Sequence, residues 1–149
     1  MIRQLHLNLF LKFRGHHEAA WNHPDSSPAL PTDVNFYVDI AQRAEAGLFD
    51  SIFFADSPVL TTDAPQSGRV GLEPITLLAA LAMATERIGL IATGTSTYSH
   101  AFNLARQFSS IDHISNGRAG WNIVTTWRNE VARNFGDAGQ NSHADRYVM

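Results

Sequence analysis

Four short apolar segments, Leu5–Leu11, Asp50–Ala55, Ile88–Thr93 and Ala119–Thr125, recur with helix-length stretches between them. No other feature constrains the fold as much. Each segment is rich in Ile, Leu, Val or Phe, as strands are, and their starts are about 30–45 residues apart. Between them, Thr32 or Asp33 can cap a helix that runs to Gly47, and Pro74 suits the first turn of a second over Pro74–Arg87. A third, roughly Phe102–Ile114, carries Leu104, Phe108 and Ile111 on one face and ends near Asn116-Gly117. The pattern is β-α-β-α-β-α-β, which implies a parallel sheet covered by helices and joined by right-handed crossovers. Two architectures satisfy it, an open doubly wound sheet and a stretch of a (β/α)8 barrel. No G-x-G-x-x-G follows the first strand, which weakens the dinucleotide-binding form of the open sheet. Periodicity does not separate the two further.

The chain has 149 residues, enough for one domain with a substantial core. A net charge of -3 argues against nucleic acid or anionic membrane as partner. No apolar run approaches the roughly 20 residues of a membrane helix, and the start lacks a secretory cleavage pattern. Cysteine is absent, which removes disulfides, thiolate nucleophiles and cysteine-held iron–sulfur clusters. Lys12 is the only lysine, so no P-loop is present and Schiff-base chemistry has one poor candidate. The expected setting is cytoplasmic.

Catalytic and cofactor-binding residues of parallel α/β proteins gather at the carboxyl ends of strands. The long segments Lys12–Pro31 and Asp56–Glu73 both leave such ends. Asp56 directly follows the second strand and Thr93 ends the third. Both can face a ligand there, although a turn cap at Asp56-Ser57-Pro58 and a β-former at Thr93 are equally served. Asn122, beside Trp121 in the fourth strand, costs about 1–3 kcal/mol if buried without a partner, so it contacts a ligand or a fixed network. His143 and Tyr147 are four apart and would share a helix face, with Arg146 adjacent, a set suited to an anionic or hydrogen-bonding ligand or to an ordinary amphipathic helix. His16, His17 and His23 crowd the first long loop with Trp21, yet no H-E-x-x-H or spaced carboxylate completes a metal site. A substrate-side or acid–base role suits them better. Thr125-Thr126-Trp127-Arg128 leaves the fourth strand as a lid, a phosphate contact or a solvated loop, and Arg128 is compatible with an anionic ligand.

Eight motifs occur in order: GHH-x3-W-x2-P (15–24), FFADS (53–57), EPITLLAAL (73–81), TERIGLIAT (85–93), LAR (104–106), DHISNGRAGWN (112–122), ARNFG (132–136) and HADRY (143–147). Together they resemble the bacterial luciferase-like flavin-dependent monooxygenases, in the subgroup typified by nitrilotriacetate monooxygenase component A. The resemblance implies a TIM barrel with insertions, of which this chain supplies the N-terminal half, about four parallel βα units. It implies reduced FMN (FMNH2) delivered by a separate NAD(P)H:flavin reductase, O2 as co-substrate, and a flavin C4a-hydroperoxide that oxygenates a small organic molecule. By motif, Asp56, Thr93, His143 and Tyr147 look like flavin-binding positions, Asn122 like a further contact, and His16 and His17 like substrate-side residues. Trp127-Arg128 and the stretch His100–Asn103 depart from the subgroup's usual pattern, at the substrate pocket or the phosphate end.

A TIM barrel takes about 250 residues. Residues 1–149 are therefore expected to form a partial barrel domain, with unpaired edges at the first and fourth strands and apolar surface left for a complement. The alternative expectation is an inactive half-barrel that self-associates, as a homo-oligomer or with a complementing C-terminal half, and at most binds flavin. A nucleotide-binding open α/β protein is the remoter third reading.

Overall fold

The computed structural model describes residues 4–17, 19–59 and 71–148; the expected loop Asp56–Glu73 thus lies partly outside the described residues. The element order is β1 (Asn8–Leu11), α1 (Val34–Ala46), β2 (Ser51–Phe54), α2 (Pro74–Ala84), β3 (Gly89–Thr95), α3 (Ala101–Ser115), β4 (Ala119–Val124) and a short α4 (Asn129–Asn134), with single 3-10 turns at Ala20–Asn22 and Asp145–Tyr147. All four strands are parallel and lie in the sheet in chain order, β1-β2-β3-β4. Among the described residues, β1 and β4 each have a single strand neighbour. No described helix is long and apolar enough to cross a membrane.

Alternation along the strands sorts the sheet into two faces. Leu9 and Leu11, Ile52 and Phe54, and Leu90 and Ala92 point toward α1, α2 and α3, where Tyr37, Ala41, Leu77, Leu78, Leu81, Leu104 and Ile111 complete one core. Burying each of the larger aliphatic side chains contributes about 1.5–3 kcal/mol. Phe10, Phe53 and Ile91, offset by one residue, occupy the other face, in register across β1, β2 and β3. Phe10 packs on Phe53 with ring centroids 4.9 Å apart and remains 42% exposed. All three long crossover helices therefore cover one face. A doubly wound sheet would place helices on both, so sequential order with one-sided helices is the arrangement of a barrel sector.

Local chemistry sets the helix ends. Asp33 caps α1 by accepting from the Asn35 N–H at 3.0 Å, and Glu73 caps α2 by accepting from Ile75 and Thr76 at 2.9 and 2.7 Å. α2 stops at Ala84, short of the expected Arg87, because three N–H groups just beyond its end have a better acceptor. Glu45 Oε1 takes the N–H groups of Glu86, Arg87 and Ile88 at 2.9, 2.5 and 2.9 Å. β1 begins at Asn8 rather than Leu5, whose side chain is 82% exposed, and β3 runs on to Thr95.

Arg118 closes the amino-terminal end of the sheet. Its guanidinium spends all five N–H donors: Nε on the Ser115 carbonyl (2.7 Å), Nη1 on Thr85 Oγ1 and the Ile88 carbonyl (2.9 Å each), Nη2 on the carbonyls of Ala82 and Thr85 (3.0 Å each). Replacing it with Ala strands several buried acceptors at about 1–3 kcal/mol each. We expect Arg118→Ala to lower unfolding stability by about 3 kcal/mol or more in urea denaturation. Arg118→Lys should recover little, since an ammonium cannot reproduce the fork; full recovery would show that charge alone matters.

Candidate functional site

A cleft of about 150 Å³ opens at the carboxyl ends of β2, β3 and β4, lined by residues 55–58 after β2, Thr93 and Thr95 of β3, Asn122 and Val124 of β4, and Thr126, Trp127, Arg128 and Val131 beyond it. Parallel pairing explains the convergence. Thr93 pairs with Asn122 and Thr95 with Val124, so these four side chains rise from the same sheet face as Ile91. Asn122 Nδ2 donates to Thr93 Oγ1 at 2.9 Å, and Thr93 is buried. The expected fixed network for Asn122 is therefore present. Among the described residues, the bond leaves the Asn122 carbonyl oxygen as a free acceptor and the Thr93 hydroxyl proton free to donate. Trp121, one residue earlier, points to the helix side: its indole N–H donates to the Gly94 carbonyl at 3.1 Å and its ring stacks on Phe108, centroids 5.2 Å apart.

Two glycines permit this packing. A Cβ on Gly94 would lie 2.9 Å from Trp121 Nε1, and one on Gly120 would lie 2.9 Å from Ile91 Cγ1. Any larger residue at either position would push β3 and β4 apart just below the cleft.

Asp56 is half-buried in the cleft. Burial raises its carboxyl above the ordinary aspartate range, the Ser57 N–H opposes this, and the charge of Glu73 adds to it. Its proton is thus held to higher pH than that of a solvated aspartate.

The loop after β4 is tightly fastened. Thr97 Oγ1 donates to the Thr125 carbonyl at 2.8 Å, and Thr126 Oγ1 donates to Thr95 Oγ1 at 2.7 Å. The Thr126 carbonyl receives both Gln140 Nε2 and Arg146 Nη1. Thr126 itself sits in the left-handed region at φ 56°, an uncommon state for a β-branched residue that the surrounding bonds enforce.

The structure brings Asp56, Thr93 and Asn122 together with Thr126, Trp127 and Arg128, and places His16, His17, His143 and Tyr147 outside the cleft lining. His143 and Tyr147 do not share a face of an extended helix. His143 precedes a single 3-10 turn that Tyr147 ends, with rings 4.9 Å apart and Tyr147 67% exposed. Arg146 between them ties this turn to the cleft wall through Thr126. His16 and His17 lie exposed in the loop after β1. His16 meets the edge of Phe10 at 4.7 Å, and His17 Nδ1 accepts from the Ala19 N–H at 3.1 Å beside a shallow, open recess that includes His23 and Pro24. His100, in the departing stretch, caps α3 by accepting from the Phe102 N–H. No group of three or more His, Asp or Glu that could hold a metal ion occurs among the described residues.

Sequence reading missed Thr95 and Val131. Thr95 follows from Thr93 by strand alternation once β3 is extended past Thr93. Val131 is buried on α4, a helix of six residues too short to register as a periodic pattern.

The sequence profile of the family described as luciferase-like monooxygenase matches residues 10–149. Nitrilotriacetate monooxygenase component A of Aminobacter aminovorans is 43% identical over 158 aligned positions, covering 98% of this chain and 35% of that protein. An EDTA monooxygenase from Chelativorans sp. BNC1 superposes with a TM-score of 0.89 at 35% identity, over 98% of this chain and 35% of the other. A riboflavin lyase solved with modified FMN and riboflavin gives a TM-score of 0.87 at 31% identity, over 99% and 35%. The chain spans about a third of the length of the curated relatives it matches.

Asp56 makes the cleft measurable by titration. Because its carboxyl has a higher proton affinity folded than unfolded, the stability linked to it is present below the ordinary aspartate range and is lost as pH rises through the raised folded value. Asp56→Asn removes that loss. Urea unfolding from about pH 4 to about pH 8 should show the variant gaining stability over wild type as pH rises; a constant or shrinking difference would contradict the burial argument.

Proposed function

The chain belongs to the luciferase-like monooxygenase family, and from that premise we propose that it carries part of the flavin site of an FMNH2- and O2-dependent monooxygenase acting on a small organic molecule. The observation that carries the reading is the convergence of Asp56, Thr93 and Asn122 on one cleft at the carboxyl ends of parallel strands. The designation component A of one relative, and the modified FMN and riboflavin held by another, support a flavin enzyme served by a separate NAD(P)H:flavin reductase.

The donor set fits a flavin. The pyrimidine edge of an isoalloxazine alternates carbonyl acceptors with a ring N–H. The Asn122 carbonyl and the Thr93 hydroxyl offer the complementary acceptor and donor, and Asp56 can accept or, protonated, donate. The cleft volume of about 150 Å³ is below the roughly 300 Å³ of a whole ligand pocket, so it takes one edge of the cofactor and not all of it. Pro58, Val124, Trp127 and Val131 line it with apolar surface and limit water at the polar edge. Bound reduced flavin supplies the electrons that activate O2 for insertion of one oxygen atom into the substrate. The protein's own task is to orient that ring and keep water out, which calls for no side-chain nucleophile. His143 and Tyr147 are assigned to the cofactor's periphery, and His16 and His17 to the substrate side, along the Phe53–Phe10–His16 aromatic row.

Residues 1–149 are proposed to act as one part of a barrel whose remaining units cover the bare face at Phe10, Phe53 and Ile91. Self-association of the half-barrel is the competing reading, favoured by the single strand neighbour at each edge and by Ile123 at 61% exposure. Gel filtration with mass detection separates them: a clean monomer at 16.4 kDa would contradict self-association.

Flavin fluorescence titration tests the site. Asp56→Ala and Asn122→Ala should each weaken FMN binding by about tenfold, the equivalent of one lost buried hydrogen bond. Affinities unchanged in both would remove these residues from the flavin site.

A further inference from the structure

We infer that Arg128 is a specificity-determining residue, selecting a ligand group that carries an oxyanion, carboxylate or phosphate, at the mouth of the cleft. The inference rests on the flavin-site reading and names the chemistry of the group that lies beside the cofactor edge.

Arg128 lines the cleft and is partly buried. Its guanidinium carbon lies over the Trp127 ring, 5.0 Å from the centroid, and the side chain makes no hydrogen bond or ion pair among the described residues. Three other arginines are committed to the fold. Arg118 spends five donors on the fold, Arg43 pairs with Asp39, and Arg146 is bonded to the Thr126 carbonyl. A guanidinium stacked on an aromatic ring keeps its N–H fork available, and that fork matches the planar, two-oxygen face of a carboxylate or the oxygens of a phosphate. Removing a cation partly from water without a counter-charge costs free energy that a ligand anion would offset.

The loop that presents Arg128 is fixed without help from its side chain. Thr125 and Thr126 are held by Thr97, Thr95, Gln140 and Arg146, and the Arg128 carbonyl accepts from the Val131 N–H at 3.2 Å to start α4. The cation is thus positioned before any ligand arrives, so little conformational freedom is lost on binding. Asp56, in the same cleft, does not pair with it: its proton affinity is set by burial, Ser57 and Glu73. The cleft accordingly has a carboxyl at one wall and an uncommitted cation at another, an arrangement for a ligand polar at both ends.

Calorimetric titration with succinate, its neutral isostere succinamide, FMN and riboflavin tests the assignment on wild type, Arg128→Gln and Arg128→Lys. Succinate should bind about tenfold or more tightly than succinamide to wild type. Arg128→Gln should abolish that preference, Arg128→Lys should keep part of it, and all three proteins should have equal urea midpoints. If Arg128→Gln instead weakens FMN and spares riboflavin, the subsite stands and its oxyanion is the cofactor's phosphate. If succinate and FMN are both indifferent to Arg128→Gln, the inference is overturned. Failure of the flavin reading looks different: wild type then binds neither flavin, while the succinate preference still depends on Arg128.

Discussion

The five-fold engagement of Arg118 is the interaction on which the rest of the structure depends. Its side chain gathers the end of α2, the turn into β3 and the end of α3, while its backbone carbonyl accepts from the Leu90 N–H at 2.8 Å at the start of the β3–β4 ladder. One residue therefore sets both the helix packing and the register of β4. Register matters because side chains alternate between faces, and a slip of one residue would turn Asn122 toward the helices and Trp121 toward the cleft. Glu45 reinforces the same turn from α1 through three backbone N–H groups. The two charges do not pair with each other; each is spent on main chain that the α2–β3 turn would otherwise leave unsatisfied.

The two ends of the sheet are built for different purposes. At the amino-terminal end, charged side chains are consumed by the fold. At the carboxyl end, polar groups retain bonding capacity: Asn122 keeps an acceptor, Thr93 a proton, and Asp56 a carboxyl whose ionisation burial opposes. Strain accumulates there too, in the left-handed Thr126 held by Thr95, Gln140 and Arg146. A protein stabilised at one end of its strands and left under-bonded at the other follows the division of labour of parallel βα architectures.

Much of this was legible in the chain. Short apolar runs set apart by helix-length stretches located all four strands, and Asp33, Pro74 and Gly47 marked helix boundaries by known capping chemistry. Asp56, Thr93 and Asn122 were legible as candidates that share one cleft because a polar side chain ending or interrupting an apolar strand has no cheap place in a core. Boundaries decided by distant partners were not legible. α2 stops at Ala84 because of Glu45, whose contribution lies about forty residues back, and local propensity carries no record of it. His143 and Tyr147 were read as sharing a helix face, yet the chain turns only once there, since Ser142, Asp145 and Arg146 bond locally and to the β4 exit. Nothing in the local sequence marks Arg118, because its partners come from the ends of α2 and α3 and the turn into β3.

What the sequence by itself determined is the alternation of parallel strands with helices, the identity of the polar residues at their carboxyl ends, and the family. Those properties are written in local periodicity and in motif order. Only the tertiary structure decided between a doubly wound sheet and a barrel sector, because both use the same strands, helices and spacing. The choice lies in which face each crossover helix covers. Here all three cover one face, where Leu9, Ile52, Leu90 and their neighbours await them, and the opposite face is left to Phe10, Phe53, Ile91 and the cleft above them. That placement is a property of how helices pack against one another across the sheet, and no single segment encodes it.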